Sequence, residues 1–235
     1  MRSENGIWLI WRDGDRSPSL NMSIDELLLE KSEILGGRIL LRIYGWDRPS
    51  ISIGYTQHHS SVSNESARYS IVRRPTGGGI VYHGRDLTYT IVVPAGHPLE
   101  KLDRVESYHV FHRAILLAMM KFGLEGRLAS DTPKVQDRAA MRCFVTPTKY
   151  DVLCGNRKIA GAAQRRTKNG ILHQGSLSLE VSGGDRDALS DELISGFAAE
   201  FKVGFENFSI PDGFSRGADR LSAAKFATDE WNRAR

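Results

Sequence analysis

The chain has 235 residues, of which 40% are hydrophobic and 26% charged, a composition typical of a soluble protein with a sizeable core. No apolar stretch is long enough to cross a bilayer, and the short apolar run near the N-terminus meets charges too soon for a signal peptide. We therefore expect a cytoplasmic protein with no membrane partner. The two cysteines lack zinc-binding spacing, so no metal site is predicted, and free thiols are the default in a reducing compartment.

The net charge of +4 is compatible with nucleic acid, an acidic protein partner or an anionic substrate. Nucleic acid is disfavoured, because no recognisable binding motif or basic aromatic pattern is present. The basic residues cluster beside two glycine-containing segments, which favours an anion site over a solvated face. The clusters are Arg73, Arg74 and Arg85, and Arg157, Lys158, Arg165, Arg166 and Lys168.

The N-terminal half begins with a predicted strand, "IWLIWR", and a helix, "SLNMSIDELLLEKS", with Ser19 as its N-cap. Two short β-branched runs, "RILLRIYGW" and "SISIGYTQ", predict two strands with a turn between them. The segment "SIVRRPTGGGIVYHGRDLTYTIVVP" predicts strand, glycine turn, strand, turn and strand.

The C-terminal half begins with an amphipathic helix that Gly123 ends. One face of this helix carries Val105, Tyr108, Phe111, Ile115 and Met119. A long loop precedes two or three strands in 150–180, and helices follow, including "DELISGFAAEFKVGF" and "RLSAAKFATDEWNRAR". Because strict βαβ alternation is absent, we predict an α+β fold of mixed, mainly antiparallel sheets packed against helices.

The segment "RRPTGGGIVYH" is neither a Walker loop nor a dinucleotide-binding turn, since a strand rather than a helix follows its glycines. Three consecutive glycines permit positive φ and close approach of a ligand to backbone N–H groups. A plain hairpin would account for one or two of the glycines, but not for the flanking Arg73, Arg74 and His83. A ligand cradle is favoured, and a hairpin remains the alternative.

This segment resembles the R-R-x-[ST]-G-G-[GR]-x-V-x-H signature of the lipoate–protein ligase and octanoyltransferase family, which is related to biotin ligases. Further elements match in order along nearly the whole chain. "LNMSIDELLL" resembles the family's N-M-[AS]-x-D-E helix, and "NRKIAGAAQRR" resembles its G-R-K-[IV]-[AS]-G-[SA]-A-Q element. "LRIYGWDRPSISIGYTQ" resembles its strand pair, and "KFATDEWN" its closing helix.

The resemblance implies a biotin/lipoate protein ligase fold, formed by one catalytic domain over 1–235, with an acyl tunnel between the glycine turn and the lysine strand. It implies that Lys158 binds the acyl carbonyl or activated group, and that Gly161 and Ala163 let the chain approach the acyl group closely. The other implied lining residues are Arg74, Thr76, Gly77, Gly78, Gly79 and His83. His83 and His173 are alternative groups for proton transfer, each equally expected to be a structural hydrogen-bonding group.

The cysteines distinguish an octanoyltransferase, which carries its acyl group on a cysteine, from a ligase, which uses ATP. "RCFVTPTKYDVL" resembles the C-F-x-x-P-x-x-Y-[DE] element that carries the acyl-accepting cysteine in one octanoyltransferase branch. Cys143 is the expected nucleophile, because the neighbouring Arg142 and Lys149 favour its thiolate. Cys154 ends an apolar run and is expected to be a small buried side chain.

We therefore expect transfer of an octanoyl group from acyl carrier protein through Cys143 to the lysine of a lipoyl domain or a glycine-cleavage H protein. This reaction requires no cofactor, and Lys158 with the glycine turn stabilises the oxyanion. The first alternative is a lipoate ligase using ATP and Mg, with an accessory subunit, since no C-terminal accessory domain is expected here. The second alternative is a non-catalytic acyl-binding module. The expected state is a monomer.

Overall fold

Strands and helices follow one another irregularly along the chain, which the computed structural model describes over residues 6–131 and 147–235. The strands in these ranges are β1 (Ile7–Arg16), β2 (Leu40–Trp46), β3 (Ser50–Ile53), β4 (Ser70–Arg73), β5 (Val81–His83), β6 (Asp86–Pro94), β7 (Gly126–Leu128), β8 (Val152–Cys154), β9 (Arg157–Thr167), β10 (Gly170–Ser178) and β11 (Gly204–Asn207). The α-helices there are α1 (Pro18–Glu30), α2 (Arg104–Met120), α3 (Arg186–Phe201), α4 (Phe214–Leu221) and α5 (Asp229–Asn232). The predicted α+β class is confirmed.

A large sheet contains strands from both ends of the chain. Its order over the described residues is β11-β1-β2-β6-β10-β9-β8-β7. Strand β1 is parallel to both of its neighbours, β2 and β11. The other pairs, from β2–β6 to β8–β7, are antiparallel. The predicted mixed, mainly antiparallel sheet is therefore confirmed.

A smaller sheet has the order β4-β3-β5, with β3 parallel to β4 and antiparallel to β5. The glycine-rich segment connects β4 to β5, so it must pass across the end of β3. Because β4 and β5 are not hydrogen-bonded to each other, the alternative of a plain hairpin turn is wrong. The sequence predicts β4, β5 and β6 around this segment. It does not predict that β4 and β5 lie on opposite sides of β3.

Helices cover both faces of the large sheet. This cover is required because β1 places apolar side chains on both of its faces. Trp8 and Ile10 of β1 belong to a core that includes side chains from α2 and α3. Leu9 and Trp11, on the opposite face, belong to a second core with side chains from α1 and α4. Successive side chains of a strand point to opposite faces, so the apolar run "IWLI" fits a strand buried on both sides. None of the helices in the described residues has the length and apolarity to span a membrane.

The helices differ from the predicted ones in three places. Ser17, not Ser19, is the N-cap of α1, with Pro18 at the first helical position, an arrangement that favours helix initiation. Helix α2 begins with a capping box formed by Asp103 and Glu106, and Val105, predicted to face the core, is exposed in this first turn. The predicted helix through "KVGF" ends at Phe201, because β11 begins at Gly204 and pairs with β1.

Candidate active site

The glycine loop between β4 and β5 is held against the end of β3 by backbone contacts. Tyr55 N donates to the Thr76 carbonyl at 2.9 Å, and Arg74 N donates to the Ile53 carbonyl at 3.0 Å. A Cβ on Gly54 would lie 2.1 Å from the Gly78 carbonyl oxygen, so a side chain at Gly54 would displace the loop. Gly78 itself has φ of 84°, a conformation that favours glycine. The loop therefore crosses the end of β3 in a conformation that these backbone contacts hold in place.

The two arginines of "RRPTGGG" hold backbone carbonyls. Arg74 donates to the carbonyl oxygens of Gly77, Gly79 and Ser52 at 2.6 to 3.1 Å. Arg73 is 1% exposed and donates to carbonyl oxygens from two segments, 54–57 and 231–235. The expectation that this basic pair marks an anion site is wrong for Arg73, whose guanidinium instead joins two pieces of backbone.

A chain of buried hydrogen bonds connects the glycine loop to helix α1. Thr76 Oγ1 donates to Gln174 Oε1 at 2.6 Å, and Gln174 Nε2 donates to Asp25 Oδ2 at 2.7 Å. Asp25 also accepts from Arg42 Nη1 at 2.7 Å, and Arg42 Nη2 donates to Asp13 at 2.6 Å. Burial lowers the pKa of Arg42, but the carboxylates of Asp25 and Asp13 outweigh it, so its net pKa is raised. The loop is thus anchored through Thr76 to a charged network in the protein interior.

Lys158 lies at the start of β9 and is buried. Its Nζ is 2.7 Å from Asp151 Oδ2, with the two side chains 4% and 0% exposed. Asp151 also accepts from Tyr108 Oη at 2.5 Å and from the backbone N of Thr148 at 2.5 Å. A Cβ on Gly161 would lie 2.3 Å from Lys158 Cε. Gly161 therefore makes room for the lysine, a role that the sequence did not predict.

A second group of buried polar side chains lies beside the glycine loop. His83 Nε2 is 2.8 Å from Ser52 Oγ, and His83 Nδ1 is 2.7 Å from Asp86 Oδ2. The imidazole stacks on the Trp46 ring with a centroid separation of 3.9 Å. Burial raises the pKa of Asp86, but His83 and the hydrogen bonds from Ser176 and Gly84 N outweigh it, and the net pKa is lowered. The Asp86 carboxylate is therefore ionised at neutral pH.

A partly open cavity of about 90 Å³ lies between the glycine loop and β9. Its apolar wall includes Met22, Tyr44, Trp46 and Val81. The predicted site residues that line it are Arg74, Gly78, Gly79, His83, Lys158, Gly161 and Ala163. An apolar cavity with an ammonium at its wall can hold an aliphatic chain and stabilise negative charge that develops on a carbonyl oxygen.

The remaining predicted residues lie elsewhere. Thr76 and Gly77 belong to the glycine loop but do not line the cavity. Thr76 is connected to the cavity wall through its hydrogen bond to Gln174, which does line it. Cys143 lies outside the described residues. Cys154 is half-buried against the main core, and His173 is fully buried between Tyr89 and Gln164. Burial and the nearby His112 lower the pKa of His173 well below its usual range, so its ring is neutral.

Sequence reasoning missed several side chains around the cavity. Asp151, Gln174, Ser52 and Asp86 all contact a predicted site residue. Asp151 belongs to the cysteine-containing motif and Gln174 to a predicted strand. No local pattern indicates that Asp151 pairs with Lys158 or that Gln174 accepts from Thr76. Asp86 offered a weak signal, since a carboxylate three residues after a histidine often fixes its tautomer.

Comparison with known proteins identifies the family of the chain. Residues 17–202 match the family model of the lipoyl protein ligase A/B catalytic domain. Octanoyltransferase LipM of Halalkalibacterium halodurans is 31% identical over 281 aligned residues, which cover 96% of this chain and 98% of that protein. Octanoyltransferase LipM of Bacillus cereus is 36% identical over 196 aligned residues, which cover 78% of this chain and 68% of that protein.

Solved structures share the fold at lower sequence identity. A crystal structure of lipoate-protein ligase A bound with ATP superposes with a TM-score of 0.79 at 22% identity, covering 96% of this chain and 98% of that one. A bi-partite lipoate protein ligase from Thermoplasma acidophilum superposes with a TM-score of 0.75 at 20% identity, covering 96% of each chain. At these identities the likeness concerns the fold alone.

Proposed function

The chain belongs to the lipoyl protein ligase A/B catalytic domain family, and from this premise we propose that it is an octanoyltransferase that carries its acyl group as a thioester on Cys143. The observation that carries the proposal is the extended similarity to proteins named octanoyltransferase LipM, which covers 96% of the chain at 31% identity. The apolar cavity with Lys158 at its wall supports an acyl substrate.

In the first half-reaction, the Cys143 thiolate attacks the carbonyl carbon of an octanoyl thioester on acyl carrier protein. The new bond joins Cys143 Sγ to the acyl carbon, and the carrier thiolate leaves and takes up a proton. The Lys158 ammonium, held by Asp151, stabilises the oxyanion of the tetrahedral intermediate.

In the second half-reaction, the ε-amine of a lysine on a lipoyl domain or glycine-cleavage H protein attacks the enzyme thioester. A carbon–nitrogen bond forms, the bond to Cys143 Sγ breaks, and the thiolate is regenerated. We assign two proton transfers to Lys158: its ammonium gives a proton to the leaving carrier thiolate in the first half-reaction, and the neutral amine then receives the proton of the incoming lysine. One thioester is consumed for each amide formed, so the reaction needs neither ATP nor Mg.

Mass spectrometry tests this mechanism. The purified protein is mixed with octanoyl carrier protein without ATP, and we expect one added octanoyl group that maps to Cys143 and is removed by neutral hydroxylamine. Cys143→Ser should abolish this adduct and the transfer, whereas Cys154→Ser, the matched control, should retain both. Full transfer by Cys143→Ser would contradict the thioester mechanism.

The family fold also occurs in a lipoate-protein ligase bound with ATP, which makes an ATP-dependent ligase the second candidate. Lipoate-dependent exchange between ATP and pyrophosphate would support it, and our proposal predicts none. A non-catalytic acyl-binding module would bind the acyl carrier without turnover. For such a module, Lys158→Ala would weaken binding and have no further effect.

A further inference from the structure

Ser52, His83 and Asp86 have the arrangement of a nucleophile, its base and the group that orients the base. Ser52 Oγ lies 2.8 Å from His83 Nε2, and His83 Nδ1 lies 2.7 Å from Asp86 Oδ2. Both distances fall in the range for an activated serine. We propose that these three residues form a Ser–His–Asp triad that gives the cavity a second activity, the hydrolysis of acyl esters and thioesters at Ser52.

The contacts of the imidazole determine which nitrogen carries the proton. The Asp86 carboxylate accepts from Ser176 Oγ at 2.6 Å and from Gly84 N at 3.1 Å, which fixes its orientation toward the ring. An ionised carboxylate accepts hydrogen bonds and does not donate them, so His83 Nδ1 is protonated. With the ring neutral, as in any histidine acting as a base, His83 Nε2 presents its lone pair to the Ser52 hydroxyl, which donates to it.

Two further contacts favour this chemistry. The His83 ring stacks on Trp46, whose Nε1 donates to Thr88 Oγ1 at 2.8 Å, so the base is held in one orientation. Arg74 Nη1 donates to Ser52 Oγ at 3.2 Å, and a positive charge at this distance stabilises the oxygen as it loses its proton. The serine is thus hydrogen-bonded by a base on one side and by a cation on the other.

The position of the triad indicates its substrate. Ser52 and His83 both line the apolar cavity, together with Met22 and Trp46. An acyl chain bound there would bring its carbonyl group within reach of a wall that includes both Ser52 and Lys158. The choice of an acyl substrate rests on the proposed function, whereas the activation of Ser52 rests on the triad geometry alone and does not involve Cys143.

The reaction balances with water as the one co-reactant. Ser52 Oγ attacks the acyl carbonyl carbon while its proton passes to His83 Nε2, and the leaving thiolate or alkoxide takes that proton. Water, deprotonated by His83, then attacks the serine ester. The bond to Ser52 Oγ breaks, His83 returns the proton to that oxygen, and the free fatty acid leaves. No oxidant, reductant or nucleotide enters.

The test uses the full chain with Cys143→Ala, so that the cysteine cannot contribute. This protein is treated with an alkyl fluorophosphonate, which labels activated serines, and separately with p-nitrophenyl octanoate. We expect label on Ser52 in peptide mapping, and measurable release of p-nitrophenolate. Adding Ser52→Ala should abolish both signals, and adding Asp86→Asn should lower both by about 10²-fold or more, because the ring then loses its tautomer.

The matched control is Ser50→Ala, in the same strand and equally buried, whose hydroxyl donates to the Arg48 carbonyl at 2.7 Å. It should leave both signals unchanged, and thermal melting should show that each variant is folded. Absence of label or hydrolysis in the Cys143→Ala protein, or persistence of either in folded Ser52→Ala, would overturn the triad. Failure of octanoyl transfer from carrier protein would instead count against the proposed function.

Discussion

Lys158 and Asp151 form a buried ion pair in which Nζ lies 2.7 Å from Oδ2. The carboxylate receives further hydrogen bonds from Tyr108 and Thr148, so the ammonium is held in one position at the cavity wall. An oxyanion is stabilised best by groups already in place, so in the mechanism we propose Asp151 is a positioning residue for Lys158.

Asp151→Asn should therefore lower the single-turnover rate of octanoyl transfer by about 10²-fold, because the neutral amide does not fix the ammonium. Tyr108→Phe removes one of the hydrogen bonds to Asp151, together with those to the Ala162 backbone, but it keeps the charge of Asp151, so it should cost less. Rates are compared by quenched-flow mass spectrometry on variants whose folding is confirmed by thermal melting. A transfer rate for Asp151→Asn equal to that of the parent protein would show that the pair has no such role.

Replacing Gly161 by alanine should displace Lys158. The added Cβ would lie 2.3 Å from Lys158 Cε and 2.5 Å from Nζ, and one of the two groups must move. We expect at least about a tenfold loss of transfer in steady-state assays. Gly204→Ala is the control, because a Cβ on this strand glycine meets no atom within 4 Å. Equal activities of the two variants would refute the steric argument.

Thr76→Val tests the connection between the glycine loop and the interior. The substitution keeps the side-chain shape but removes the hydrogen bond to Gln174, leaving the Gln174 Oε1 acceptor unpaired. A buried unpaired acceptor costs about 1 to 3 kcal/mol, so kcat/KM should fall about tenfold. A double-mutant cycle with Gln174→Ala measures the coupling. Additive effects of the two substitutions would mean that the hydrogen bond does not position the loop.

The order of the local elements was predictable, because a short apolar run marks β1 and consecutive glycines mark the loop. The edge strand β11 was not: its four residues are largely exposed, and it forms by pairing with β1 near the opposite end of the chain. The local sequence does not indicate pairing with so distant a strand, and for this reason "KVGF" is predicted as helix. The N-cap at Ser17 was readable in principle, since Pro18 follows it.

For the site, the sequence predicts individual residues but not most of the contacts between them. Family motifs contain Lys158 and the glycine loop, and both lie at the wall of the cavity. One motif includes an acidic residue at Asp151 but does not indicate its partner, and none indicates the partner of Gln174. Which buried donor a carboxylate or an amide meets depends on the register of β8, β9 and β10. The register of β8 against β9 shifts at Val152–Leu153, an irregularity with no sequence signal.

Arg42→Met should destabilise the fold strongly. Arg42 is fully buried between Asp13 and Asp25, and its removal takes the cation from Asp25 and leaves Asp13 paired with the half-exposed Arg16. Loss of one partner from a buried ion pair costs about 3 to 5 kcal/mol in the free energy of unfolding, measured in urea. The exposed pair of Arg12 and Asp191 is the comparison, and Arg12→Ala should cost less than about 1 kcal/mol. Similar costs for the two substitutions would contradict this ranking.

His112 should make the protein less stable in mild acid. Its ring stacks on Tyr108 at 4.0 Å, and neither nitrogen has a hydrogen-bond partner among the described residues. Burial, reinforced by the charge of Lys158, lowers the pKa of His112 from 6.5 to about 3, an effect that the nearby Tyr150 backbone offsets in part. Between these values the unfolded chain binds a proton that the folded chain does not, so stability falls as the pH drops below the unfolded pKa.

His112→Phe keeps the stacked ring and removes the titrating group. Between about pH 7.5 and about pH 5, the parent protein should lose about 2 kcal/mol more unfolding free energy than the variant. Urea titrations at the two pH values measure this difference. His173→Phe is not an equivalent control, because that ring accepts or donates hydrogen bonds with Tyr89 and Gln164, which phenylalanine would leave unpaired. An identical loss of stability in parent and His112→Phe would mean that the buried imidazole is protonated in the folded protein.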